Sequence, residues 1–307
     1  MIIRNVRNVF NDIFFKYHDW RIAIKKKASI NETIPEKWGR FKEIRGTNEY
    51  SFADPLLFED KRGEFLFVEA INRKTKRGCI GVIDLSNNKF SPIIIEDFHM
   101  SFPFVFCDNG ETYMIPETNE AEKLILYRAI NYPYEWERYS VLMDDVKLTD
   151  TVVYKSSYDN SIKLITTKKN CDDEYFFQLY DFELKNLTLK EIFQLRDSER
   201  ENRNAGQVLF DNKTNKNYRV TQNSNGLYGK NLVFWEILND SKTYSQKKIN
   251  SVLPSEVHIK GINGKKIKQL HTYSVSSKYE CIDFGFSGYS FRYAYYWFCD
   301  FLNRKKK

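Results

Sequence analysis

The chain has 307 residues, enough for one large or two ordinary domains and a sizeable core. Phe and Tyr are abundant while Gly and Pro are scarce, which favours β-strands and excludes a collagen-like or low-complexity chain. The net charge of +7 resides in the tail Arg304–Lys307 and the run Lys25–Lys27, so the body is balanced and no nucleic-acid-binding face is expected.

No apolar run reaches the roughly 18–20 residues of a spanning helix, and no hydrophobic signal segment follows Met1. A cytoplasmic chain is expected, with peripheral contact at the inner face of a membrane left open through the basic termini. The cysteines Cys79, Cys107, Cys171, Cys281 and Cys299 are odd in number and lack Cys-x-x-Cys spacing, which disfavours a disulfide framework or a zinc site. Cys79, Cys107 and Cys281 fall in strand-like runs and read as small core residues.

Taken in order, residues 1–17 place Val6, Val9, Phe10, Ile13 and Phe14 near a helical period. They predict a short amphipathic helix docked on the body. A strand starting at His18 follows, then a polar stretch carrying Trp38, Phe41 and Ile44 that leads to Asp54. Residues 52–85 then spell a unit: a polar mouth at Asp54-Pro55, a strand at Leu56–Phe58, a charged turn at Glu59–Glu64, a strand at Phe65–Glu69 and a third at Cys79–Leu85. The proline pushes Asp54 into an extended conformation at a strand mouth.

The order repeats. A second unit opens at Ser101-Phe-Pro103, reaches Glu117 and continues to Leu124–Ala129. A third opens at Thr149-Asp150 and ends in Tyr175–Tyr180, and a fourth runs from Arg203 through Gln222 to Leu232–Leu238. A weaker fifth opens at Gln269-Leu-His271. Units starting roughly 50–65 residues apart, each with three or four strands, are the sequence form of propeller blades. The fold expected is all-β, a five-bladed β-propeller over residues 18–302, with strands from 18–50 helping to close the ring. An open β-sandwich with coincidentally similar hairpins is the competing arrangement. Phe291–Leu302 reads as either a closing strand or a helix, ahead of the basic tail 303–307.

In a propeller the first strand of each blade lines the central channel. Asp54, Ser101, Asp150, Arg203 and His271 would then converge from five blades, with Glu69 and Glu117 ending second strands. Several carboxylates with an Arg and a His suit sugars, because glycosyl transfer needs one carboxyl as acid and another as base or nucleophile. His99 and His271 have no partner at metal-ligand spacing, so no metal is expected. Ser101 lacks a Gly-x-Ser-x-Gly elbow, and no phosphate-cradling Gly-rich loop is present, so no cofactor is expected.

At these residues the chain resembles the amino-terminal domain family of plant glucosamine inositolphosphorylceramide transferases and its bacterial relatives. The shared signatures are Trp20-Arg21-Ile22, Phe52-Ala-Asp54-Pro55, Glu69-Ala-Ile-Asn72 with Gly78-x-Ile80, His99-x-Ser101-x-Pro103-x-Val105, Ile115-Pro116-Glu117-Thr118, Arg203-x-Ala205-Gly206, Gln222, Tyr228-Gly229 and His271-Thr272. The family's domain is similar to the five-bladed propellers of furanosidase-type glycoside hydrolases. The resemblance implies Asp54 as base or nucleophile and Asp150 as the residue orienting the acid, with Glu117 the candidate acid. It adds Asn72, His99, Gln222 and Tyr228 to Glu69, Ser101, Arg203 and His271 as substrate-binding candidates. The chain departs at Thr151, where the family has Pro after the Asp, at Asn204 for Pro and at Gln207 for Arg. The function expected is action on glycosidic bonds of a sugar or nucleotide-sugar in surface polysaccharide or glycolipid biosynthesis. The alternative is a glycan-recognition propeller that positions a partner glycosyltransferase or formyltransferase.

Overall fold

The computed structural model describes residues 16–28, 32–170, 172, 174–241 and 243–289. The expected amino-terminal helix, the aromatic stretch 291–302 and the basic tail lie outside them. Among the described residues there is no α-helix, and none long and apolar enough to cross a membrane.

The chain opens with β1 (Lys16–Lys26) and β2 (Lys42–Ile44). The first complete blade is β3 (Tyr50–Asp60), β4 (Gly63–Asn72), β5 (Gly78–Asp84) and β6 (Lys89–Ile94). The second is β7 (Ser101–Asp108), β8 (Glu111–Glu117), β9 (Lys123–Asn131) and β10 (Glu135–Asp144). The third is β11 (Leu148–Lys155), β12 (Ile162–Lys169), β13 (Tyr175–Glu183) and β14 (Thr188–Arg196). In the fourth the inner position is shared by β15 (Arg203–Asn204) and β16 (Leu209–Asp211), followed by β17 (Lys216–Asn223), β18 (Asn231–Asp240) and β19 (Tyr244–Val252). The last pair, β20 (Ile267–Val275) and β21 (Tyr279–Tyr289), is completed by β1 and β2 in the order β2-β1-β21-β20. Five antiparallel sheets, each meandering outward from its first strand, make a five-bladed β-propeller.

The ring closes through β1, which pairs with β21 in unbroken register from Lys16↔Tyr289 to Lys26↔Tyr279. Residues from the two ends of the chain therefore share one blade, and neither edge of that pair is left open. The innermost strands are buried on both faces, as in β3 and β11, so they read as continuous apolar runs. Outer strands such as β10 and β14 are half exposed and polar.

Each join between neighbouring blades holds its own apolar cluster. Phe67, Ile80, Met114 and Tyr127 join the first and second, and Phe104, Ile115, Val152 and Leu164 the second and third. Tyr154, Phe177 and Ile237 join the third and fourth, and Phe41, Phe234, Tyr273 and Phe284 the fourth and fifth. Ile22, Phe52, Leu66 and Cys281 close the ring between the fifth and first. Each Val, Leu, Ile, Phe and Met side chain among them contributes roughly 1.5–3 kcal/mol by its burial. Cys79 and Cys281 are buried as expected, but Cys107 is exposed, because it lies near the outer end of β7.

Candidate active site

Asp54, Ser101, Asp150, Arg203 and His271 each lie on the first strand of a different sheet, and neighbouring first strands pack on one another around the axis. Asp54 is inside β3, not ahead of it. It sits at a register break between Ala53 and Leu56 with φ +46°, a left-handed conformation rare for a residue other than Gly. Asp150 repeats this with φ 49° at a break between Thr149 and Val152. In the second blade the equivalent residue is Phe102, φ 45°, rather than Ser101 or Pro103. Such bulges re-aim a side chain out of the alternation of the strand. In the first and third blades the residue so re-aimed is an aspartate; in the second it is Phe102, which packs in the core between the second and third blades.

Asp54, buried, accepts from Thr272 Oγ1 at 3.0 Å on Oδ1 and from the Phe102 amide at 3.1 Å on Oδ2. His271 Nε2 lies 3.0 Å from Asp54 Oδ1, and its Nδ1 lies 2.5 Å from Asp283 Oδ2. Asp283 also accepts from the amides of Thr272 at 2.7 Å and Asp54 at 3.2 Å. Burial alone would strip the His271 proton, but the Asp283 and Asp54 carboxylates outweigh it and hold the imidazole well above its ordinary pKa. Burial would likewise raise Asp54, yet His271, the Thr272 hydrogen bond and the Arg203 charge bring it below the usual carboxylate range. For Asp283 burial wins over His271, and its carboxyl sits above the ordinary value. Among the described residues these three side chains also bring one donor atom each within 4.8 Å of one another, a set that fits a divalent cation. A cation there would require His271 to give up its proton.

The second cluster is built on Arg203. Its Nε donates to Asp150 Oδ2, and its Nη2 lies 3.3 Å from both Asp150 Oδ1 and Glu117 Oε2. Gln222 Nε2 donates to Asp150 Oδ2 at 3.3 Å, and Glu117 accepts from the Asp150 amide at 3.2 Å. Burial pushes the Glu117 carboxyl up to about 8; Arg203 pulls against this, and the charges of Asp150 and Asp54 add to it. The departures from the family pattern are part of this framework. Asn204 Nδ2 donates to the Asp150 carbonyl at 2.6 Å, and Gln207 Nε2 donates to the Val275 carbonyl, joining the fourth blade to its neighbours.

Tyr228 and Trp20 wall the site. The Arg203 guanidinium lies 5.2 Å from the Tyr228 ring centre, His271 5.1 Å from Tyr228, and Trp20 4.5 Å from His271. Gly229 makes this approach possible: at φ +62°, a Cβ there would come within 2.8 Å of His271 Cβ and 3.1 Å of the Trp20 ring. A hollow of about 250 Å³ between Tyr175, Arg200, Arg203, Leu227 and Tyr228 opens beside the cluster.

Glu69 and Glu117 occupy matching register positions, opposite Ala53 and Ser101. Glu69 is buried and raised by it, with His99 opposing; His99 Nε2 lies 2.9 Å from Glu69 Oε1 while its Nδ1 accepts from the Gly78 amide at 3.0 Å. Asn72 is spent elsewhere, accepting from the Lys74 and Thr75 amides in the turn after β4. Asp283 is the site residue that sequence reasoning missed. Its signal was an ionisable residue inside the apolar run Cys281-Ile-Asp-Phe284.

The family model described as "Glucosamine inositolphosphorylceramide transferase 1, N-terminal" matches residues 43–282. Glucosamine inositolphosphorylceramide transferase 1 of Arabidopsis thaliana is 38% identical over 107 residues, 33% of this chain and 14% of that protein. The protein of the same name from Oryza sativa subsp. japonica is 29% identical over 198 residues, 60% of this chain and 26% of that protein. The chain thus spans about a quarter or less of the curated relatives it matches. Among solved structures, an α-L-arabinofuranosidase of Podospora anserina superposes with TM-score 0.58 at 11% identity, over 82% of this chain and 98% of that one. A thermostable family-43 glycoside hydrolase gives 0.53 at 11% identity, over 79% and 90%. These likenesses are of fold; the sequence match is of family, and the chain belongs to the glucosamine inositolphosphorylceramide transferase 1 amino-terminal family.

Proposed function

We propose that the propeller binds a sugar in its central channel and acts there on a glycosidic bond, by hydrolysis or by transfer. Glu117 donates a proton to the departing oxygen, Asp54 is the base or nucleophile, and Asp150 positions Glu117 through Arg203. One observation carries this reading: Glu117 is pushed up to about 8 while Asp54 is held below the usual range. At neutral pH one carboxyl holds its proton and the other does not, which is the division such chemistry needs. Asp54 retains a lone pair on Oδ2, since two hydrogen-bond partners meet Oδ1 and one meets Oδ2. Trp20 and Tyr228 offer the apolar face on which a sugar ring stacks.

The name of the plant relatives supports placing the reaction in assembly of a glycolipid; a surface polysaccharide as product, a cytoplasmic location and a glycosyltransferase or formyltransferase partner belong to the same proposal. A second reading, glycan recognition without chemistry, is favoured by the engagement of both Asp150 oxygens by Arg203, with Gln222 adding to Oδ2. The deciding experiment is turnover of a panel of aryl glycosides and nucleotide-sugars by the wild type, Asp54→Asn and Glu117→Gln. Turnover in the wild type that disappears in both variants supports the reaction. No turnover, with glycan binding intact in all three, replaces it with recognition.

A further inference from the structure

A second hollow, of about 400 Å³, lies at the closing join, between β1, β2 and the start of β3. That volume falls within the roughly 300–1,000 Å³ of small-molecule sites. Trp20 is common to this hollow and to the wall of the channel site, and Phe52, two residues before Asp54, is also part of its lining. The lining holds two carboxylates, Asp19 and Glu43, and both are engaged by one cation. Arg21 Nε lies 3.5 Å from Asp19 Oδ2 and its Nη1 3.1 Å from Glu43 Oε1, while the guanidinium rests 3.9 Å from the centre of the Phe286 ring.

Two more cations remain. Arg45 approaches Glu43 only to 3.9 Å, beyond hydrogen-bond distance, and its side chain is 87% exposed. Arg73 meets no carboxylate within ion-pair reach among the described residues. Its Nε donates to the Thr47 carbonyl at 3.2 Å and its Nη2 to the Tyr50 carbonyl at 3.3 Å. Carbonyl oxygens hold a guanidinium in place without cancelling its charge. With three arginines against two carboxylates the hollow carries one positive charge in excess, with Arg73 anchored and Arg45 extended.

We propose that this hollow binds a phosphoryl group carried by the sugar substrate, with Arg73 as the anchor and Arg45 as the arm that meets it. Guanidinium forks match phosphate oxygens in geometry, and a phosphodiester brings one negative charge per phosphorus to a lining with one positive charge in excess. A sugar nucleotide and a phosphorylated glycolipid headgroup both present this chemistry. The inference rests on the sugar reading of the channel for what the phosphate is attached to, and on the arginines alone for anion binding.

The test is calorimetric titration of the whole chain at low salt with methyl glucoside, glucose 1-phosphate, UDP-glucose and inorganic phosphate, beside sedimentation with phosphatidylcholine vesicles with and without phosphatidylinositol. Phosphorylated probes are expected to bind at least about tenfold more tightly than methyl glucoside, and less tightly as salt rises. Arg45→Glu, on an exposed side chain, and Arg73→Lys, which keeps the charge and loses the fork, should each weaken them about tenfold or more. UDP-glucose binding ahead of vesicles names the nucleotide source, and the reverse names the lipid headgroup; either supports the site. Equal affinity for glucose 1-phosphate and methyl glucoside, or phosphate affinity unchanged in Arg45→Glu, overturns it. No turnover is read, so phosphate binding without glycosidic activity counts against the reaction alone.

Discussion

His271 Nε2 sits 3.0 Å from Asp54 Oδ1, across the join between the last blade and the first. The imidazole bridges two buried carboxylates, Asp54 and Asp283, that would otherwise repel one another. Removing the cation from such a group leaves uncompensated buried charge. His271→Ala is expected to lower stability by about 3–5 kcal/mol, read as a drop in the denaturation midpoint in urea. A loss within experimental error would show that the bridge does not hold the join.

The same contact fixes a pH response. The folded pKa of His271 is raised, so its stabilisation is complete below the ordinary value of 6.5 and is lost only as pH rises through the higher folded value. The ring proton signals of His271 should stay unchanged across neutral pH in an NMR titration. A midpoint near 6.5 would contradict the charged bridge.

Glu117 behaves in the opposite sense to an ordinary carboxylate. Its folded value of about 8 lies above the unfolded 4.5, so the native state holds an extra proton between those limits, and stability falls as pH rises through them. Glu117→Gln should flatten that slope. It should also lower turnover by about 10²–10⁴-fold, the usual worth of a general acid, and remove the alkaline limb near pH 8. A wild-type rate that stays level from pH 6 to about 10 would remove Glu117 from the role of acid.

Arg203 restrains Glu117 from rising further, because its charge favours the carboxylate. Arg203→Lys keeps a charge but cannot span Asp150 and Glu117 with one planar fork. The alkaline limb of the rate profile should move upward in this variant while the rate at neutral pH falls. A limb left at its wild-type position would mean that the Arg203–Glu117 contact is not present in solution.

Gly229 holds the aromatic wall in place. Gly229→Ala puts a methyl group at a left-handed position, within 2.8 Å of His271 Cβ. The strain should cost more than about 1 kcal/mol and displace Trp20, seen as a shift in tryptophan fluorescence and weaker sugar binding. An unshifted spectrum would show that the wall yields without effect.

The blades were legible in the sequence because their inner hairpins are buried on both faces. Leu56–Phe58 and Phe65–Glu69 are apolar runs that announce themselves, while the polar residues expected at strand mouths, Asp54, Asp150 and His271, lie within the first strands. The outer strands were not legible. β10 and β14 are half exposed, and their alternation is diluted by Glu, Lys and Arg. Nor could periodicity reveal the bulges, since a left-handed Asp54 or Phe102 leaves no mark in composition. Asp283 was hidden for a related reason: its partner lies on the neighbouring strand, and only the pairing of β20 with β21 brings them together.

The shared blade has a consequence for biosynthesis of the protein itself. Asp54 emerges early from the ribosome, whereas His271 and Asp283 are among the last described residues to be made. Until translation has passed Asp283 and β1 has found β21, the early aspartate lacks its histidine partner and the first cluster is incomplete. Moving the chain's ends by circular permutation to an outer turn between two complete blades would leave that late encounter as an ordinary neighbour contact.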